Sequence, residues 1–136
     1  MPRKVLVVDD DGITRKYLSR FLEGQGYAVV YTADATAALQ RFFEEDFDVI
    51  VSDFVMPGMS GLNLTDRIHS LDPNVPIIIM SGDGAVGKEG VLKAGASDFI
   101  VKPFLLDSLL SKIRDVLDNG RDGQSLLKNN RSHRRN

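Results

Sequence analysis

Five short apolar runs divide the chain, and each is followed by a longer stretch with hydrophobic residues at helical spacing. The runs are rich in valine and isoleucine, which is typical of strands. Because several of them are continuously apolar, we expect both faces of these strands to be buried, as in a parallel sheet. The runs occupy residues 5–8, 27–32, 47–51, 77–80 and 99–101.

The stretches between the runs predict helices with one apolar face. The face of the first would consist of Ile13, Tyr17, Leu18, Phe21 and Leu22. The face of the last would consist of Leu106, Leu109, Leu110, Ile113, Val116 and Leu117. The fourth is crowded with glycine, and since each interior glycine costs about 1 kcal/mol relative to alanine, this helix should be short or mobile. The alternation of strand and helix indicates an α/β domain in which right-handed crossovers cover both faces of one parallel sheet.

Length and composition fit one such domain with a short extra segment. The chain has 136 residues, of which 43% are hydrophobic and 26% are charged, as in ordinary globular proteins. No apolar run approaches the roughly 20 residues that span a bilayer, and the N-terminus does not resemble a signal peptide. We therefore expect a cytoplasmic protein without membrane contact. Cysteine is absent, and His69 and His133 are far apart, so disulfides and a zinc site are not expected. His69 should be an exposed helix residue.

Charge is distributed unevenly along the chain. Residues 119–136 have a net charge of +4, and the other 118 residues carry −6. The acidic body argues against direct nucleic-acid binding by the folded domain. The end of the chain is also rich in Gly, Asn and Ser, so we predict a domain over residues 1–118 and a flexible basic tail or linker over 119–136. A stand-alone protein and the front of a longer one both fit, with the first slightly favoured because no second domain begins.

Four of the predicted strands end on polar residues. These are Asp9-Asp10-Asp11 after the first strand, Ser52-Asp53 after the third, Ser81 after the fourth and Lys102 after the fifth. Ligands of open parallel sheets bind beyond the carboxyl ends of the strands, so these side chains should converge on one crevice. Asp11 is expected to cap the following helix. The other carboxylates would repel one another unless a hard cation such as Mg²⁺ neutralised them. Together with a lysine and a hydroxyl, they predict an aspartyl-phosphate site.

The residues around these strand ends resemble the bacterial response-regulator receiver family. The matching stretches are residues 7–10, 48–61, 80–82 and 95–104, which read VVDD, DVIVSDFVMPGMSG, MSG and GASDFIVKPF. Each stretch alone is a weak or moderate signal, but all four in this order form a strong one over roughly residues 3–118. The resemblance implies a flavodoxin-like (βα)5 doubly wound fold whose five-stranded parallel sheet has the strand order 2-1-3-4-5.

The resemblance also implies a role for each site residue. Asp53 would be the phosphoacceptor and a metal ligand. Asp10 would bind Mg²⁺ directly, Asp9 would bind it through water, and the backbone carbonyl of Val55 would be a further ligand. Lys102 would pair with the phosphoryl oxygens, and its peptide bond to the following proline would be cis.

The same resemblance implies a switch and its partners. Ser81 would move to hydrogen-bond the phosphoryl group, and the rotamer of Phe99 would report that movement to the surface, although core packing alone is the alternative for Phe99. The donor would be a sensor histidine kinase or a histidine phosphotransfer protein. An unknown output partner would dock on the fourth helix, fifth strand and fifth helix, and a phosphorylation-dependent dimer is another form of response. Such a domain catalyses its own phosphorylation and dephosphorylation, but it is a signalling switch rather than a turnover enzyme.

Three positions depart from the commonest family pattern. Ser81 stands where threonine is more usual, Val55 has no polar side chain to hold water, and Asp83 places a carboxylate near the phosphoryl group. In the family these positions tune the lifetime of the aspartyl phosphate.

Two other functions fit the sequence less well. A haloacid-dehalogenase-type phosphatase would carry its phosphoryl group on Asp9, but it requires an acidic motif after Lys102 that the chain lacks. A receiver-like module that signals without phosphorylation is disfavoured because the acidic residues, Ser81 and Lys102 are all present.

Overall fold

The computed structural model of the protein describes residues 2–82 and 87–119, without the side chain of Lys88. In these ranges strands and helices alternate as the hydrophobic pattern predicts. The strands are β1 (Lys4–Val8), β2 (Ala28–Thr32), β3 (Val49–Asp53), β4 (Ile77–Ser81) and β5 (Asp98–Val101). The helices are α1 (Gly12–Gly24), α2 (Ala35–Glu44), α3 (Gly61–Leu71), α4 (Lys88–Lys93) and α5 (Leu106–Asn119). Asp83 and residues 120–136 of the predicted tail lie outside the described residues, and Asn119, the first residue of that tail, is instead the last residue of α5.

The strands form one parallel sheet in the order β2-β1-β3-β4-β5. This order confirms the flavodoxin-like, doubly wound α/β fold. The register pairs Val8 with Ser52 and Asp53 with Met80, so the carboxyl ends of the three central strands meet at one edge. The order reverses between β1 and β3, and in open α/β sheets such a switch point opens a crevice beyond the strand ends.

Helices cover both faces of the sheet. Leu6 and Val8 of β1 point into a core formed with α2, α3 and α4, whereas Val5 and Val7 point into a second core formed with α1 and α5. Because successive strand residues face opposite sides, burial of both faces requires an apolar residue at every position. The continuous apolar runs are therefore explained by the two cores. Within the described ranges, no helix has the length and apolarity needed to cross a membrane.

Local capping also follows the sequence expectation. Asp11 caps α1, since its side chain accepts hydrogen bonds from the Ile13 amide at 3.1 Å and the Thr14 hydroxyl at 2.7 Å. α4 has only six residues and begins after Gly87, whose N-cap position has no side-chain hydrogen bond. The prediction of a short fourth helix is confirmed, and its cause is the low helix propensity of the glycine-rich sequence.

The expectation that His69 is exposed was wrong. Its ring is half-buried, with Nε2 3.0 Å from the Val75 carbonyl oxygen. Gly95 in the α4–β5 turn has φ +108°, and a Cβ built there would lie 3.0 Å from His69 Nδ1. The imidazole thus fills the space that a glycine leaves open, a long-range contact that helical spacing cannot reveal.

Ion pairs join the first strand to the end of α2 at the amino edge of the sheet. Lys4 Nζ lies 2.7 Å from Glu45 Oε1, and the Arg41 guanidinium contacts the other oxygen of the same carboxylate. The Lys4 backbone N–H donates to Asp48 Oδ2 at 2.7 Å. Glu45 therefore accepts hydrogen bonds from two cations on different elements.

Replacing Glu45 with glutamine should lower the free energy of unfolding by about 1 kcal/mol at neutral pH. The hydrogen bond from Lys4 is the main cause that holds the pKa of the Glu45 carboxyl below its ordinary value of 4.5, and Arg41 adds to it. A carboxyl whose pKa is lower in the folded chain stabilises the fold above its unfolded pKa, and this contribution is lost as the pH falls through the folded pKa. In denaturant titrations, the difference between the two proteins should shrink as the pH is lowered toward about 3.

Glu23→Gln is the matched control, because Glu23 is exposed on α1. It should change the free energy of unfolding by less than about 0.5 kcal/mol at either pH. If Glu45→Gln lowered the free energy of unfolding equally at neutral and at acidic pH, the stabilisation could not come from the ionised carboxyl of Glu45.

Candidate functional site

Three carboxylates converge where β1 and β3 end. Asp9 and Asp10 follow β1, and Asp53 is the last residue of β3. One oxygen from each lies within 4.8 Å of the others. Their exposure differs, since the Asp9 side chain is fully buried, Asp53 is half-buried and Asp10 is exposed. The sequence prediction that these residues converge is confirmed, and the cluster opens to solvent on the side of Asp10.

Lys102 connects two of the carboxylates. Its Nζ lies 3.0 Å from Asp9 Oδ2 and 3.4 Å from Asp53 Oδ2. The backbone brings it there, because the Lys102 N–H donates to the Ser81 carbonyl oxygen at 2.7 Å. The peptide bond between Lys102 and Pro103 is cis, as the resemblance implies. One ammonium thus lies against two negative charges, one of which is fully buried.

Burial and charge act on the ionisation of the site in opposite directions. Burial raises the pKa of the Asp53 carboxyl above its ordinary value, and the Asp9 charge adds to this, while Lys102 opposes both. Burial alone would lower the pKa of the Lys102 ammonium, but its hydrogen bond to Asp9 and the Asp53 charge outweigh burial and raise that pKa. The site therefore has an excess of negative charge that Lys102 only partly compensates.

Ser81 is the last residue of β4 and is almost fully buried. Among the described residues its Oγ has no hydrogen-bond partner. A buried hydroxyl without a partner is costly, so such a group often marks a place where a ligand or another state of the protein supplies the partner. Its position between the strand ends of Asp53 and Lys102 is the one expected for a switch hydroxyl, and the switch role stays a prediction.

The other two predicted residues lie close to the cluster. Val55 is in the loop after β3 with its side chain largely exposed, so it offers the site no polar side chain. The ligand role of its carbonyl stays a prediction. Phe99 lies in β5, half-buried, and packs against the core that contains α3 and α4. This position fits both core packing and a switch role.

Two contacts at the site were not predicted from the sequence. Arg15 Nη1 donates to the Asp9 carbonyl oxygen at 2.9 Å and so reaches back over the turn that carries the acidic pair. Ser52 Oγ donates to the Asp53 carbonyl oxygen at 3.0 Å. The sequence shows a polar residue before Asp53 and an arginine one turn into α1, but side-chain bonds to a backbone carbonyl leave no pattern in residue types.

The donor set suits a hard divalent cation. Three carboxylates supply only oxygen, which Mg²⁺ prefers, and their shared charge is the reason that a cation would be held there. Soft metals would require nitrogen or sulfur ligands, which this group of residues does not contain. A doubly wound sheet with an acidic triad, a lysine and a buried hydroxyl at its switch point is typical of the receiver domains of signalling proteins.

The chain belongs to the response regulator receiver domain family, whose sequence model matches residues 5–114. Receiver domains of this family bind Mg²⁺ through an acidic cluster of the kind formed by Asp9, Asp10 and Asp53. Membership also removes the phosphatase alternative. Asp9, which that alternative would make the nucleophile, is fully buried and bound to Lys102.

Several known proteins are similar to this chain. "Response regulator MprA" from Mycobacterium sp. (strain KMS) is 35% identical over 132 residues, which cover 93% of this chain and 57% of that protein. The "C4-dicarboxylate transport transcriptional regulatory protein DctD" of Rhizobium meliloti is 38% identical over 96% of this chain and 28% of its own length. The solved CheY-like receiver domain protein from Methanospirillum hungatei has a TM-score of 0.84 at 31% identity, covering 90% of this chain and 99% of that one. The chain thus spans about half or less of the length of these curated relatives.

Proposed function

We propose that this domain accepts a phosphoryl group on Asp53 from a histidine kinase or a histidine phosphotransfer protein, and that the modification switches its α4-β5-α5 face. The observation that carries the proposal is the position of Lys102, whose Nζ lies within 3.4 Å of Asp53 and 3.0 Å of Asp9. An ammonium at this place can pair with the negative charge of a phosphoryl group held on Asp53.

The chemistry assigned to the chain is a simple displacement. A carboxylate oxygen of Asp53 forms a bond to phosphorus while the bond from phosphorus to the donor nitrogen breaks, and the departing imidazole takes up a proton. Lys102 neutralises the phosphoryl oxygens. Ser81 supplies the hydroxyl that would hydrogen-bond one of those oxygens, which would satisfy a group without a partner among the described residues.

Asp9, Asp10 and Asp53 would hold Mg²⁺, together with the carbonyl of Val55. The ion would supply positive charge against the carboxylates and the incoming phosphoryl oxygens. Asp10 is the exposed member of the group and therefore the one best placed to face a solvated ion.

The proposed output surface is supported by exposed apolar side chains. Leu92 of α4, Val101 of β5 and Leu105 before α5 are 36%, 45% and 76% exposed. Phe99 lies on the same strand as Val101, and in this proposal its rotamer would connect Ser81 with the surface. A partner, an output domain or a second copy of the domain could bind here, and the phosphorylated state would be the one that selects it.

The direct test is incubation with a small acyl phosphate. In the presence of Mg²⁺ the protein should gain one phosphoryl group that hydroxylamine removes, as expected for an acyl phosphate, and peptide mapping should place it on Asp53. A chelator should lower the labelling rate at least about a hundredfold, because the charge of the metal is lost from the site. Labelling on another residue would overturn the assignment, and absence of labelling would favour a module that signals without phosphorylation.

A further inference from the structure

Gly61, the first residue of α3, packs directly against the backbone of Asp53. A Cβ built on Gly61 would lie 2.3 Å from the Asp53 carbonyl oxygen and 3.1 Å from the Phe54 Cα. Real Cβ atoms do not approach an oxygen so closely, so any side chain here requires the Asp53 peptide to move by about 0.7 Å or more.

Helix propensity makes this glycine unexpected. Alanine is favoured over glycine inside a helix, so helix stability alone does not explain why glycine stands at position 61. Its φ is not in the left-handed region, so the backbone conformation does not demand glycine either. The close approach to Asp53 remains as the reason for glycine at this position.

Hydrogen bonds hold the same peptide segment from other directions. Ser52 Oγ donates to the Asp53 carbonyl oxygen at 3.0 Å. The Gly61 N–H donates to the Phe54 carbonyl oxygen at 2.8 Å, and the Phe54 N–H donates to the Met80 carbonyl oxygen at 2.7 Å. The Asp53 carbonyl thus lies between a buried hydroxyl and the Cα of Gly61, with the next peptide bonded to β4.

We propose that Gly61 and Ser52 are positioning residues, which together set the height at which the Asp53 carboxylate stands above the end of β3. This inference rests on the proposed function of Asp53 as phosphoacceptor. The two residues act through the backbone carbonyl and do not touch the phosphoryl group. Val55 lies in the loop between β3 and α3, which begins at the Asp53 peptide. A displacement of that peptide would therefore also move the Val55 carbonyl, the predicted metal ligand.

Gly61→Ala should lower the rate of acyl-phosphate labelling by about tenfold to a hundredfold at saturating Mg²⁺, because a displacement approaching 1 Å at a reacting group has effects of this size. The rate is measured well below the thermal midpoint of the variant, where a purely structural loss of stability would leave the folded protein as active as the wild type. Gly24→Ala is the matched control, since a Cβ at the last residue of α1 meets nothing within 4 Å. It should label at the wild-type rate.

Ser52→Ala removes the hydroxyl that donates to the Asp53 carbonyl oxygen. It tests the proposal independently if Gly61→Ala does not fold. We expect labelling about threefold to tenfold slower than in the wild type. Its control is Ser19→Ala, which removes a buried hydroxyl that has no partner among the described residues. Folded Gly61→Ala that labels within twofold of the wild type would overturn the proposal, as would wild-type labelling of Ser52→Ala. Failure of the wild-type protein to label would instead contradict the proposed function itself.

Discussion

Asp53→Asn should label with acyl phosphate at least about a thousandfold more slowly than the wild type, because the carboxamide is a poor nucleophile and no other group takes its place. The variant should fold, since asparagine has nearly the same shape and removes a charge that burial and Asp9 disfavour. Because the pKa of Asp53 is raised in the folded chain, its ionised form opposes folding above its unfolded pKa. The thermal midpoint of Asp53→Asn in chelator should therefore equal or exceed that of the wild type.

Two further aspartate variants test whether the loss of labelling is specific to Asp53. Asp11→Asn alters the cap of α1, and asparagine caps helices almost as well as aspartate, so labelling should stay within about threefold of the wild type. Asp9→Asn should slow labelling, but the phosphoryl group that is gained should still map to Asp53. Undiminished labelling of Asp53→Asn would refute the assignment of the acceptor.

Lys102→Met should lower the labelling rate by about a hundredfold, which is the typical effect of removing one charged or hydrogen-bonding group that stabilises the transition state. Methionine keeps the length of the side chain while the ammonium is lost from its place between Asp9 and Asp53. The fully buried Asp9 carboxylate would then lose an ion-pair partner. We expect the free energy of unfolding in chelator to fall by about 2 kcal/mol, and by less in Mg²⁺, whose charge replaces part of what was removed.

Lys112→Met provides the comparison. Lys112 Nζ lies 3.3 Å from Asp98 Oδ2, and both side chains are about as exposed as that of Lys102. This pair joins α5 to β5 away from the acidic cluster, so the variant should label within twofold of the wild type and lose less than about 1 kcal/mol. Equal effects of the two substitutions would mean that Lys102 acts only as a surface ion pair.

The behaviour of α1 illustrates how far spacing can predict burial. The spacing predicts that its apolar positions share one face, and Leu18 and Leu22 are indeed buried in the core. Ile13 and Tyr17 are 81% and 63% exposed. Helical spacing identifies residues on one side of a helix, but the width of the buried stripe depends on where α5 and the β5–α5 loop lie, which is a tertiary property.

The sequence by itself determined the order of the elements, the burial of both sheet faces and the chemistry at the strand ends. These features are local. The periodicity of each strand or helix, and the residue that follows each strand, depend only on neighbouring positions in the chain and not on which elements touch. The sequence also predicts Asp53, Lys102 and Ser81 as site residues, because they lie in motifs whose order and spacing are typical of one family.

Only the tertiary structure decided which groups meet and how closely. Lys102 reaches Asp9 across 93 positions, and His69 fills the space beside Gly95. Gly61 approaches the Asp53 carbonyl so closely that no side chain fits. Such distances are set to a few tenths of an ångström by the packing of helices on the sheet, and residue types alone carry no information at that precision. For this protein, the sequence predicts that Asp53 is the phosphoacceptor, and the structure shows how closely the first residue of α3 approaches the Asp53 backbone.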